Sequence, residues 1–81
     1  MNHDHATKII FEVLAGIAPE VDPGTVDHGL DLTDQLDLDS MDYLNWMIGI
    51  GQAVDIDIPQ RDTGEFMTID GAAGYLVSHV G

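Results

Sequence analysis

The sequence predicts an all-α fold: a small antiparallel helix bundle of three main helices and one short helix, with a long first loop. Three observations predict it. Apolar residues recur at helical spacing in three separate stretches. Asp39 and Thr68 stand where helix N-caps belong, each directly ahead of such a stretch. No pair of alternating apolar and polar runs is joined by a turn signal, so no strand pair is visible.

Ile9, Ile10, Val13, Leu14 and Ile17 place roughly residues 5–17 in an amphipathic helix, which Gly16 and Pro19 end. A long connection follows, from about residue 20 to residue 39. Pro23, Gly24 and Gly29 break it, and Asp27, Asp31, Asp34, Asp37 and Asp39 make it acidic. A connection of this length is uncommon in a small domain. Leu30, Leu32, Leu36 and Leu38 are expected to pin it across the helices. The second main helix runs from Ser40 to about Val54. Asp39 is its N-cap, and Asp42 at the third helical position puts a second carboxylate near the positive end of the dipole. Residues 55–59 form a turn, because the residue before a proline avoids the helical region. Residues 62–66 form one short helical turn. Thr68 then caps a last helix from 69 to about 80, with Ile69, Ala72, Ala73, Leu76 and Val80 on one face. Ala72, Ala73 and Gly74 are expected to let neighbouring elements approach closely.

Eighty-one residues make one domain with a modest core. There is no cysteine, so neither disulfides nor thiolate metal sites can staple it, and stability must come from packing. The hydrophobic fraction of 44% is ordinary for a globular domain and argues against disorder. Fifteen acidic residues face only Lys8 and Arg61, for a net charge of −13. Such a field repels nucleic acid and anionic lipid, and favours partners with basic patches. The N-terminus lacks the basic and apolar regions of a signal peptide. The longest charge-free apolar segment, residues 43–54, is twelve residues long and holds Asn45 and Gln52, too short and polar to span a bilayer. A soluble, cytoplasmic, monomeric protein is expected, without membrane insertion.

At 100° per residue, the second helix carries two apolar stripes. Tyr43, Trp46, Met47, Ile50 and Val54 form the larger one, which is expected to be core. Met41, Leu44 and Ile48, flanked by Asn45 and Gln52, form the other. It lies beside Ser40 and reads as a partly exposed docking face, rimmed by Asp37, Asp39 and Asp42. Gly49 and Gly51 each weaken the helix by up to about 1 kcal/mol against alanine. They are expected to be exposed beside that face.

Ser40 is the candidate functional residue. In Leu36-Asp37-Leu38-Asp39-Ser40-Met41-Asp42 it stands just behind a capping aspartate, held in the open at the mouth of a helix. That suits covalent attachment of a group. Catalytic readings find little support. There is no Gly-x-Ser-x-Gly motif, and His3, His5, His28 and His79 assemble no triad. The aspartates between 31 and 42 lack the spacing and closing glutamate of a calcium loop. His3-Asp4-His5 reads as a solvated tail rather than a metal site.

With Asp39-Ser40-Met41-Asp42 in place, the chain resembles the acyl carrier proteins. That family opens its second helix with Asp-Ser-Leu, here Asp39-Ser40-Met41. Ile58-Pro59, Phe66-Met67-Thr68-Ile69 and Tyr75-Leu76 follow in the family's order and spacing. Asp31-Leu32 through Leu36-Asp37 matches its long loop. The resemblance spans roughly residues 6–78. It implies that a phosphopantetheinyl transferase attaches 4′-phosphopantetheine from coenzyme A to Ser40. The terminal thiol would then hold acyl groups as thioesters for fatty acid, lipid or polyketide-type biosynthesis. The chain would be a carrier and not an enzyme, and acyl-loading and acyl-transfer enzymes with basic docking patches would be its partners.

The resemblance also implies an acyl pocket. Its expected lining is Leu32, Leu36, Trp46, Met47, Ile50, Ile58, Phe66, Ala72 and Leu76, with little or no open cavity because Trp46 and Phe66 fill the space. Trp46 emission is expected to be blue-shifted in the unloaded protein and to change when a long acyl group is attached. Where family members carry glutamates along the second helix, this chain reads Asn45, Gly51, Gln52 and Ala53, which implies a specialised, free-standing carrier with its own partners. Aminoacyl or peptidyl cargo, or a non-carrying acidic interaction module, are the alternative readings.

Overall fold

A cap decides where the first helix begins. The Asn2 side chain accepts the N–H of His5 at 2.8 Å, so α1 spans His3–Ile17 and starts two residues ahead of the expected boundary at residue 5. Ala6, Ile10 and Leu14, four residues apart, form its buried line. The computed structural model describes residues 1–80. The fold is all-α, and the described residues contain no strand.

The long connection is not featureless. It holds a 3₁₀ turn at Pro23–Thr25 and a single turn of helix, α2, at Leu32–Gln35. The Asp31 carboxylate caps α2 by accepting the Thr33 N–H. Gln35 fastens the loop from within. Its amide nitrogen donates to the carbonyls of Asp27 (2.7 Å) and Leu30 (3.1 Å), and its oxygen accepts the Asp27 N–H. Two backbone bonds tie the connection to the start of the last helix. The Leu32 N–H donates to Met67 O at 2.8 Å, and the Asp70 N–H donates to His28 O at 2.9 Å. Of the four leucines, Leu32 is fully buried, while Leu36 and Leu38 pack half-buried against the core. Leu30 is 56% exposed and pins nothing, contrary to the sequence expectation.

The next helix, α3, spans Ser40–Val54 and is capped by Asp39 as expected. It ends where Asp55 turns left-handed at φ 57°, the only non-glycine residue with positive φ among those described. A 3₁₀ helix at Gln60–Phe66 replaces the short turn expected at 62–66. The last helix, α4, spans Ile69–His79, with the Thr68 hydroxyl accepting the Gly71 N–H at 2.9 Å.

Helix α1 packs against both α3 and α4, and α4 also covers the second 3₁₀ helix. Aromatic rings occupy the centre. Trp46 meets Phe66 nearly edge-on at 6.2 Å between centroids, and Phe66 lies 4.9 Å from Tyr75, which is also buried. The Trp46 indole N–H donates to the Ile10 carbonyl at 3.2 Å, so no buried polar atom is orphaned there. Full burial of each large core side chain contributes roughly 1.5–3 kcal/mol.

The glycines differ from expectation in three places. Gly49 is half-buried against Val13 of α1, and Gly51 is buried beneath the Ile56 carbonyl; neither is an exposed element of a docking face. Gly74 is exposed with open space around it. The close approach on α4 is at Gly71, where a Cβ would lie 2.6 Å from Glu65 O.

Candidate functional site

Ser40 is the first residue of α3 and is exposed. Two bonds set its position. The Asp39 carboxylate accepts the Asp42 N–H at 2.8 Å, and the Asp39 carbonyl accepts the Tyr43 N–H at 3.0 Å. An extended Asp39 followed at once by helical backbone leaves the serine on the outer corner of the turn.

The two stripes of α3 separate as the helical spacing predicts. Trp46, Met47 and Ile50 are buried, and Tyr43 and Val54 are half-buried against the core. Met41 (62% exposed), Leu44 (45%) and Ile48 (49%) face outward. Asn45 lies exposed beside them. Asp37 and Asp39 are exposed on the rim, and Asp42 is half-buried.

Beside Ser40 opens a groove of about 900 Å³, walled on one side by α3 and on the other by the segment that follows it. From α3 come Ser40, Tyr43, Leu44, Met47, Ile48, Gly51 and Gln52; opposite them stand Asp55, Ile56, Asp57, Ile58, Gln60 and Thr63. Of the nine residues expected to line an acyl pocket, Met47 and Ile58 line this groove. Leu32, Trp46, Ile50, Phe66, Ala72 and Leu76 are fully buried in packed core, and Leu36 is half-buried away from the groove. The interior is filled as the bulk of Trp46 and Phe66 suggests, but an open groove lies outside it, which the sequence reading did not anticipate. The missed signal is a pair of rows at four-residue spacing, one starting at Ser40 and the other at Tyr43. Ser40, Leu44, Ile48 and Gln52 form one row; Tyr43, Met47 and Gly51 form its neighbour.

The Tyr43 hydroxyl makes only long contacts, donating to Thr63 O at 3.4 Å and lying 3.6 Å from the Met67 sulfur. Burial, with a smaller contribution from the Asp31 charge, pushes its pKa up to about 12. It therefore stays a neutral donor on the groove wall at any ordinary pH. The Tyr75 hydroxyl donates to Asp62 at 2.8 Å while the His79 ring stacks on Tyr75 at 3.9 Å. Burial, followed by that hydrogen bond, also raises the Tyr75 pKa. None of the four histidines lines the groove, so no imidazole stands ready to activate Ser40. The arrangement presents a hydroxyl at the edge of a groove.

No family model matches the chain. Two curated proteins are similar to it along most of its length. One is an acyl carrier protein of Bdellovibrio bacteriovorus, 30% identical over 74 residues, which are 91% of this chain and 88% of that protein. The other is a mitochondrial acyl carrier protein of Neurospora crassa, 27% identical over 78 residues. Those residues are 96% of this chain, but the chain spans only 58% of the Neurospora protein's length.

Proposed function

The chain belongs to the acyl carrier protein family, and from that premise we propose that it carries acyl groups on a 4′-phosphopantetheine arm attached to Ser40. The observation that supports this most is the placing of Ser40: exposed, on the first residue of a capped helix, at the edge of a groove. The residues fit such an arm. The Ser40 and Met41 amides lie in the first turn and have no intrahelical acceptor, so they offer donors and a positive dipole end to a phosphate on the serine. When bound, the arm supplies a thiol that this cysteine-free chain lacks. The chain's own residues position the hydroxyl and shape the groove beside it, and they perform no chemistry themselves.

Activation of Ser40 falls to a phosphopantetheinyl transferase. That enzyme and the acyl-loading and acyl-transfer enzymes would dock on Met41, Leu44, Asn45 and Ile48, with Asp37, Asp39 and Asp42 meeting basic residues at the rim. Truncating Leu44 or Ile48 to alanine should then slow transfer while hardly lowering stability, since both side chains are substantially exposed. Large destabilisation with normal transfer would count against this docking face.

Mass spectrometry tests the carrier reading. Incubation with coenzyme A, Mg²⁺ and a broad-specificity transferase should add one phosphopantetheine mass. The Ser40→Ala variant should gain none while keeping its helical circular dichroism. Modification that persists in the variant moves the site elsewhere, and no gain in the unsubstituted protein rejects the reading.

A further inference from the structure

Resting on the carrier reading, we infer that this protein holds its acyl group outside the bundle, in the groove beside Ser40, and that Trp46 closes the interior to long hydrocarbon chains. The cargo class that follows is a short acyl group bearing hydrogen-bonding substituents.

Space carries the first half of the argument. Trp46 is fully buried between α1 and the second 3₁₀ helix, fixed at its nitrogen by Ile10 O and at its ring by Phe66. Phe66 in turn rests on Tyr75, and Leu32, Ile50 and Leu76 are sealed around them. A chain entering this core would have to turn the indole aside. That breaks its bond to Ile10 and leaves a buried N–H with no acceptor, while the neighbouring rings have no free volume to move into. On this reading Trp46 is a specificity-determining residue, because its fixed indole fills the centre of the core.

Polarity carries the second half. Leu44, Met47, Ile48 and Ile58 give the groove apolar surface, but Tyr43, Gln52, Gln60 and Thr63 interrupt it. An alkyl chain laid there would cover polar groups without bonding them. A hydroxyl, keto or amide group on the cargo would pair with them, as in sites where a few polar groups fix an otherwise apolar ligand. The Tyr43 hydroxyl is the best placed, because its present acceptors at 3.4 and 3.6 Å are long and it can turn to a better one.

The test compares three forms of the protein, loaded by a broad-specificity transferase from acetyl-, 3-hydroxybutyryl- and dodecanoyl-coenzyme A. Their masses are checked first; absence of any mass gain rejects the carrier reading itself and the cargo proposal with it. In the loaded proteins, the dodecanoyl form should keep the Trp46 emission maximum of the unloaded protein. It should melt no higher than the acetyl form, and hydroxylamine should cleave both thioesters at the same rate. This reverses the change in emission that the sequence alone suggests. The 3-hydroxybutyryl group should shift the backbone NMR signals of Tyr43 and Thr63 and leave those of Leu32 and Leu76 in place. Trp46→Leu should open the core, so that the dodecanoyl group now raises the melting temperature and its thioester is cleaved several-fold more slowly. A dodecanoyl group that shifts Trp46 emission, raises the melting temperature or moves Leu32 and Leu76 in the unsubstituted protein overturns the proposal. Those measurements decide the matter even if Trp46→Leu fails to fold.

Discussion

Gly49 and Val13 leave no room for a methyl group between them: a Cβ on residue 49 would lie 2.6 Å from Val13 Cγ1. Two residues on, a Cβ at Gly51 would lie 2.8 Å from the Ile56 carbonyl, where the chain folds back over the end of α3. Helix propensity alone would have alanine stabilise both positions. The contacts reverse the sign. Gly51→Ala meets backbone and should destabilise by about 1–3 kcal/mol, and Gly49→Ala by less, because the half-buried Val13 side chain can turn. Gly74, helical, exposed and unobstructed, should behave in the ordinary way, with Gly74→Ala stabilising by about 0.5–1 kcal/mol. Urea denaturation of the three variants checks this. A stabilising Gly51→Ala would show that the segment after α3 can lift away.

Charge repulsion should be measurable in the melting temperature. The net charge is −13, and the described residues hold only two ion pairs: His3 with Asp70 at 3.6 Å and Arg61 with Asp62 at 3.9 Å. Both involve exposed partners, and the first needs a protonated histidine. Lys8 joins neither. Sodium chloride or millimolar divalent cations should therefore raise the melting temperature at neutral pH by screening the carboxylates. Independence from ionic strength would mean the carboxylates already sit far enough apart.

Tyr43 should give the protein a sensitivity to base. Tyrosine is neutral while protonated, and burial raises the folded-state pKa from 10.0 to about 12. The unfolded chain loses the proton first. Stability from the neutral ring is therefore complete below pH 10 and is lost as the pH climbs toward about 12. Denaturation midpoints across that window should fall more steeply for the unsubstituted protein than for Tyr43→Phe. Parallel curves would assign the loss to other groups, Tyr75 first, whose pKa is raised in the same direction.

What could be read from the residues is what local chemistry decides. Asp39 ahead of Ser40, and Thr68 ahead of Ile69, set helix starts through side-chain acceptors a few atoms away, and both caps form as the sequence predicts. The stripes of α3 follow from periodicity, so Trp46 lies in and Leu44 lies out. The misreadings involve partners that helical periodicity does not place, either on another helix or a few residues away around a turn. Gly49 reads as exposed because Val13 lies on another helix. The groove is invisible because it exists only once the left-handed Asp55 turns the following segment back beside Met47. Leu30 looks like an anchor by composition, yet the anchoring is done by the amide of Gln35, whose three hydrogen bonds no apolar pattern would suggest.

The two backbone bonds from the long connection act as a clasp, and the clasp closes on the helix farther along the chain. Leu32 and His28 are tied to Met67 and Asp70, just where α4 begins, rather than to α3, which carries the serine. Loosening the first turn of α4 would release both bonds together and uncover the edge of Phe66, so this part of the molecule should open as one cooperative unit. In deuterium exchange the amides of Leu32 and Asp70 would then share one protection factor; a Leu32 amide that exchanges far sooner would mean the clasp opens bond by bond. The serine-bearing helix touches that unit through Tyr43, whose hydroxyl lies 3.6 Å from the Met67 sulfur, so opening of the clasp would be felt on the wall of the groove beside Ser40.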